Sequence, residues 1–101
     1  MSHPIRVAGV ADVKPGAGKV VNANGKAIAL FNVDGAIYAI DNTCLHKGGP
    51  LGEGTLNGDC VTCPWHGWRF NVKTGASLTN PAAKVSRYEV KVDNGDIHVT
   101  L

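Results

Sequence analysis

The sequence predicts an all-β fold: a small antiparallel β-sandwich or barrel interrupted by polar, glycine-rich loops. Three observations point there. Short stretches rich in Val and Ile recur between turn signals, which is the spacing of sandwiches and barrels. Asn24-Gly25, Asp34-Gly35, Asn57-Gly58 and Asn94-Gly95 mark turns, because these residues tolerate the positive φ that tight hairpins demand. No stretch sustains a helical period, and the 13 glycines work against one.

Between the turn signals the pattern places strands over 5–8, 19–22, 27–33, 36–40, 60–62, 68–71, 88–92 and 97–101. The last two alternate most clearly. Tyr88, Val90 and Val92 fall on one face against Arg87, Glu89 and Lys91, and Ile97, Val99 and Leu101 oppose His98 and Thr100. They read as a terminal hairpin of half-buried strands. The strand pattern is broken between Asn42 and Phe70, where the loops carry the chemistry-bearing residues.

The chain of 101 residues, 44% apolar, is long enough for one modest core, so 1–101 reads as a single domain. Ten basic and eight acidic residues are scattered without a basic stripe, which argues against nucleic acid as a partner. No segment approaches the roughly 20 apolar residues of a membrane span. The N-terminal "MSHPIRVAGVADVKPG" lacks an apolar run of signal-peptide length. A soluble, cytoplasmic monomer is expected. Three cysteines without an export signal favour ligand or structural roles over a disulfide framework.

Two couples stand out: Cys44-x-His46 in "NTCLHKGGPL" and, after sixteen intervening residues, Cys63-x-x-His66 in "CPWHGW". Each loop thus offers one thiolate and one imidazole. Two Cys and two His are a legitimate tetrahedral set for zinc, although structural zinc sites usually pair like with like. On an extended chain the one-residue gap puts Cys44 and His46 on the same side, roughly 6–7 Å apart at Cα. That reach suits two metals as readily as one.

The motifs C-x-H and C-x-x-H, embedded in "CLHKGGPL" and "CPWHGWRF", resemble those of the Rieske 2Fe-2S proteins, and the small Rieske-type ferredoxins are about this long and all-β. The resemblance implies a cluster-binding subdomain of two loops. It implies that Cys44 and Cys63 bind one iron and His46 and His66 the other, with two sulfides bridging. With two thiolates the oxidised cluster is neutral, whereas four would leave a dianion, so an electron is added more easily. It implies further a carrier, not a catalyst, taking single electrons from a flavin-dependent reductase to a terminal oxygenase. The alternative within the same resemblance is the Rieske-like small subunit of an NADH-dependent nitrite reductase. A free-standing oxygenase fails on inventory, since only His3 and His98 remain for a mononuclear iron.

Aligned on the ligands, the positions of the bracing cysteines and of the Ser and Tyr donors of high-potential relatives are here Gly49, Trp65, Trp68 and Phe70. Loss of those donors implies a potential at the low end of the range, roughly −150 to 0 mV. Gly48, Gly49 and Gly67 suit close backbone approach, Pro50 and Pro64 stiffen the loops, and "PAAKV" over 81–85 stands where the family has a third, covering loop. Trp65 and Trp68 are expected to pack over the site, Cys60 to be a small buried hydrophobe, and His3 and His98 to be ordinary surface histidines.

Overall fold

A computed structural model of the protein describes residues 4–43, 50–65, 67–78 and 84–100. Among the described residues nine strands form two antiparallel sheets. β1 (Pro4–Gly9), β2 (Gly18–Ala23), β3 (Lys26–Val33), β4 (Ala36–Asp41), β8 (Arg87–Asp93) and β9 (Asp96–Thr100) make a six-stranded sheet in the order β1-β9-β8-β4-β3-β2. β5 (Thr55–Asn57), β6 (Cys60–Thr62) and β7 (Arg69–Asn71) make a meander of three short strands. Two 3-10 turns, Val10–Asp12 and Leu51–Glu53, complete the elements.

The hairpin turns form as their dipeptides require. Asn24, Asp34 and Asn94 sit at φ of 50°, 51° and 53°, each followed by a glycine between 80° and 93°, so both central residues are left-handed. The Asn57-Gly58 turn differs: Asn57 still pairs with Cys60 in the ladder, and the turn falls on Gly58 and Asp59, of which Gly58 is left-handed at φ 64°.

β3 explains the architecture. Its sequence KAIALFNV is an almost unbroken apolar run, and it is buried on both faces. Ile28 and Leu30 point into one core, with Ile37 and Ala39 of β4 and Ile97 and Val99 of β9. Ala29 and Phe31 point the opposite way into a second core, with Leu51, Val61, Phe70 and Val72. β1 and β2 are the edges of the large sheet, yet both send residues (Ala8; Val21 and Ala23) into the first core, so the sheet curls around it.

Two sequence expectations need correction. β5 falls in no predicted strand; its three residues are too short for an alternating signal. Val92 shares the period of Tyr88 and Val90 but is 48% exposed, because β8 pairs with β4 only through Tyr88 and Arg87 and its far half runs beyond the core. Tyr88 and Val90 pack against the first core as the alternation requires.

Candidate metal centre

Three segments spring from the second core, and the described residues show how each is closed at its base. The first is 43–50. Thr43 and Pro50 form an isolated antiparallel bridge, and the N–H of Leu51 donates to the carbonyl of Asn42 at 2.7 Å. The Asn42 side chain, buried, accepts from the N–H of Gly52 at 2.7 Å, while the Asn42 backbone N–H donates to the Ala27 carbonyl at 3.2 Å. Leu51, which begins the following 3-10 turn, is fully buried in the second core.

The second segment is 63–68. The N–H of Cys63 donates to the Trp68 carbonyl at 2.7 Å, so the register of the β6-β7 hairpin continues past Thr62↔Arg69 to the cysteine itself. Gly67 turns at φ 73°, a conformation an L side chain rarely adopts. The third segment is 78–84, held by Leu78 N–H donating to Arg69 at 2.8 Å, by the Ala76↔Lys84 bridge and by Val85 N–H donating to Gly75 at 2.8 Å. Val85 then buries itself beside Cys63, Leu51 and Phe70 in the same core.

Of the four candidate ligands, Cys63 lies among the described residues; Cys44, His46 and His66 lie outside them, as do His3, Lys47, Gly48 and Gly49. Cys63 is 2% exposed and belongs to an apolar cluster with Val61, Phe70 and Val72. A soft thiolate donor at the root of a hairpin, shielded from water and backed by apolar side chains, fits an iron–sulfur group in which sulfur supplies half of the protein ligands. Among the described residues no three His, Cys, Asp or Glu come together to hold a metal.

The tryptophans divide. Trp68 packs against the second core with its ring centroid 6.4 Å from that of Phe70, at an interplanar angle of 36°. Trp65 instead is 51% exposed. Cys60 is half-buried, not fully buried, and its thiol donates to the Asp59 carboxylate at 3.6 Å. Burial and that bond push the Cys60 thiol above its ordinary range. His98 is half-buried on β9, its Nδ1 wholly covered and without a hydrogen bond, which is less ordinary than a surface histidine.

Several residues that shape the site carry no ligand signal in the sequence. At Gly54 an added Cβ would lie 2.2 Å from the Thr62 carbonyl oxygen, and at Gly75 2.3 Å from that of Val85. Only glycine lets these backbones pass. Tyr88 donates its hydroxyl to the Asp41 carboxylate at 2.5 Å, and Asp41 N–H donates to Ser86 at 2.9 Å, fastening the strand that enters the first segment to the one that leaves the third. Lys26 adds a 3.3 Å bond to the same hydroxyl.

Residues 3–92 match the family described as the Rieske [2Fe-2S] domain. Ferredoxin CarAc of Metapseudomonas resinovorans is 38% identical over 97 residues, covering 94% of this chain and 91% of that protein. A ferredoxin solved in complex with the reduced oxygenase of carbazole 1,9a-dioxygenase has a TM-score of 0.87 at 37% identity, over 95% of this chain and 91% of the other. The putative NADH-dependent nitrite reductase small subunit of Mycobacterium tuberculosis superposes with a TM-score of 0.91 over 100% of this chain and 96% of the other. At 24% identity this shows a shared fold alone.

Proposed function

The chain belongs to the Rieske [2Fe-2S] domain family and carries one 2Fe-2S cluster, and on that premise we propose that it is the ferredoxin component of a multicomponent oxygenase system. It takes single electrons from a flavin-dependent reductase and delivers them to a terminal oxygenase, with no catalysis of its own. The observation that carries this reading is a full C-x-H and C-x-x-H donor set in a chain that aligns with stand-alone ferredoxins over nearly its whole length.

In this reading the Cys44 and Cys63 thiolates hold one iron, the His46 and His66 imidazoles hold the other, and 1–101 acts as one cytoplasmic, monomeric domain. When bound, the cluster supplies one-electron chemistry in the potential range set by its two imidazoles and two thiolates. The chain supplies the rest. The second core, with Phe70, Leu51 and Val85 fully or almost fully buried, excludes water behind Cys63 and keeps the local dielectric low. Bridges and backbone hydrogen bonds tie down the bases of the three segments, which supports a site that reorganises little when its charge changes. Exposed Pro64 and Trp65, next to Cys63 in the chain, offer a small apolar contact for transient docking.

The nitrite reductase reading has a common fold behind it and no more. The test is direct. Anaerobically purified protein, mixed with a reduced flavin-dependent reductase and an oxidised terminal oxygenase of this class, should accept and pass on one electron per chain. A chain that is reduced but transfers nothing to any such oxygenase, or that contains one zinc and no sulfide, refutes the proposal.

A further inference from the structure

We infer that Asn42 is the positioning residue of the first ligand segment: a buried clamp, not itself a ligand, that sets where Cys44 and His46 are presented. The inference rests on the ligand reading above and adds to it the residue that holds those ligands in place.

Asn42 is the point where three pieces of chain meet. Its N–H bonds to Ala27 of β3 at 3.2 Å, its carbonyl accepts from Leu51 at 2.7 Å, and its side-chain oxygen accepts from Gly52 at 2.7 Å. One side of the segment is thus tied to the sheet and to the other side of the segment simultaneously. The partner is held just as firmly. An added Cβ on Gly52 would meet Val20 Cγ2 at 2.6 Å, Asn42 Oδ1 at 3.0 Å and the Lys19 backbone at 3.2 Å. One on Gly18 would meet the Gly52 carbonyl oxygen at 2.8 Å. The 3-10 turn therefore lies in direct contact with β2, and its position is transmitted to Thr43 and Pro50 through Asn42. An alanine at 42 would leave the Gly52 N–H buried without an acceptor while the surrounding backbone stays crowded.

The molecule supplies its own control. Asn32 is also buried, at 3% exposure, and also bonds backbone groups with its side chain: its Nδ2 donates to the Val13 carbonyl at 2.8 Å and its Oδ1 accepts from Gly35 at 2.8 Å. It sits at the opposite end of β3, beside the Asp34-Gly35 turn, whereas Asn42 follows the β4 residue Asp41 that pairs with Ile28. Truncating Asn32 removes both of these side-chain bonds and truncating Asn42 removes the one to Gly52, yet only Asn42 roots a ligand segment.

The experiment compares cluster release to a chelator, followed by visible absorbance in native buffer at pH 7, in the wild type, Asn42→Ala, Asn42→Asp and Asn32→Ala. Amide exchange of Gly52 is measured in parallel. Asn42→Ala should release its cluster about tenfold faster and lose Gly52 protection by a similar factor. Asn42→Asp retains the oxygen acceptor and should release at the wild-type rate. Asn32→Ala should unfold more readily while its release in native buffer stays within about twofold of wild type. If Asn42→Ala does not accumulate as folded protein, Asn42→Ser, polar but one atom too short to reach Gly52, carries the same expectation. Wild-type release from Asn42→Ala, or equal acceleration in Asn32→Ala, overturns the positioning role. Cys44→Ser separates the two layers: a wild-type cluster in that variant refutes the ligand assignment, whereas no cluster there combined with wild-type release in Asn42→Ala refutes the clamp alone.

Discussion

Tyr88→Phe removes one oxygen from the junction between the first and third segments, and the structure sets the size and pH dependence of the effect. The phenol donates to the Asp41 carboxylate at 2.5 Å. A hydrogen bond to a charged group contributes about 1.5–3 kcal/mol when protected, and partial exposure of both groups reduces this to about 1 kcal/mol. For a chain of this length that is about 5 °C in melting temperature. Burial first, and then the bond to Asp41, hold the Tyr88 hydroxyl above its ordinary value of 10.0, with Lys26 opposing in part. The folded state therefore favours the protonated phenol. Its contribution is complete below about pH 10 and is lost as pH rises through the folded value. Thermal melts of the wild type and Tyr88→Phe from pH 7 to about pH 11 should differ by about 5 °C at neutral pH, converging at the alkaline end. A gap that stays constant across the range, or no gap at pH 7, refutes the account of this junction.

Leu51→Ala and Leu30→Ala each empty a fully buried leucine site, in the second and first core respectively, at about 2–5 kcal/mol; both should melt lower, but only Leu51→Ala should bleach its cluster well below the melting transition. Gly54→Ala places a methyl 2.2 Å from the Thr62 carbonyl and forces β6 away from the 3-10 turn. A loss of about 3 kcal/mol in denaturant titration is expected, and an unchanged midpoint would mean the two backbones part easily. A redox titration should give a midpoint between roughly −150 and 0 mV, following from Gly49, Trp65, Trp68 and Phe70 at the tuning positions; a value above about +150 mV contradicts that reasoning.

Much of the fold was legible because its signals are local. The Asn-Gly and Asp-Gly turns declare themselves through backbone chirality, and β3 declares its burial on both faces through an unbroken apolar run. What escaped depends on distant neighbours. Thr55–Asn57 is a strand only because β6 lies beside it, and Val92 is exposed only because β8 outruns β4. At the site, the candidate donors stand out by type and spacing, but the residues that anchor their segments do not. Asn42 is one of two buried asparagines among the described residues, and nothing in "IDNTC" reveals that its side-chain oxygen will lie 2.7 Å from the Gly52 nitrogen. Nothing in the sequence marks Gly54 and Gly75 as the glycines against which the carbonyls of Thr62 and Val85 lie. Trp68 and Trp65 are alike in sequence, and the ring contact with Phe70 separates the packed one from the exposed one.

In the proposed site, one thiolate and one imidazole from each of two segments hold two irons, with both imidazoles on the same metal. Pulsed EPR on the reduced protein, with histidine labelled by nitrogen-15, tests this most directly. The account predicts two histidine nitrogens coupled to the paramagnetic cluster, with loss of one coupling or of the whole cluster in His46→Cys and in His66→Cys. A reduced cluster with one histidine coupling or none, or couplings that survive both substitutions, would contradict it.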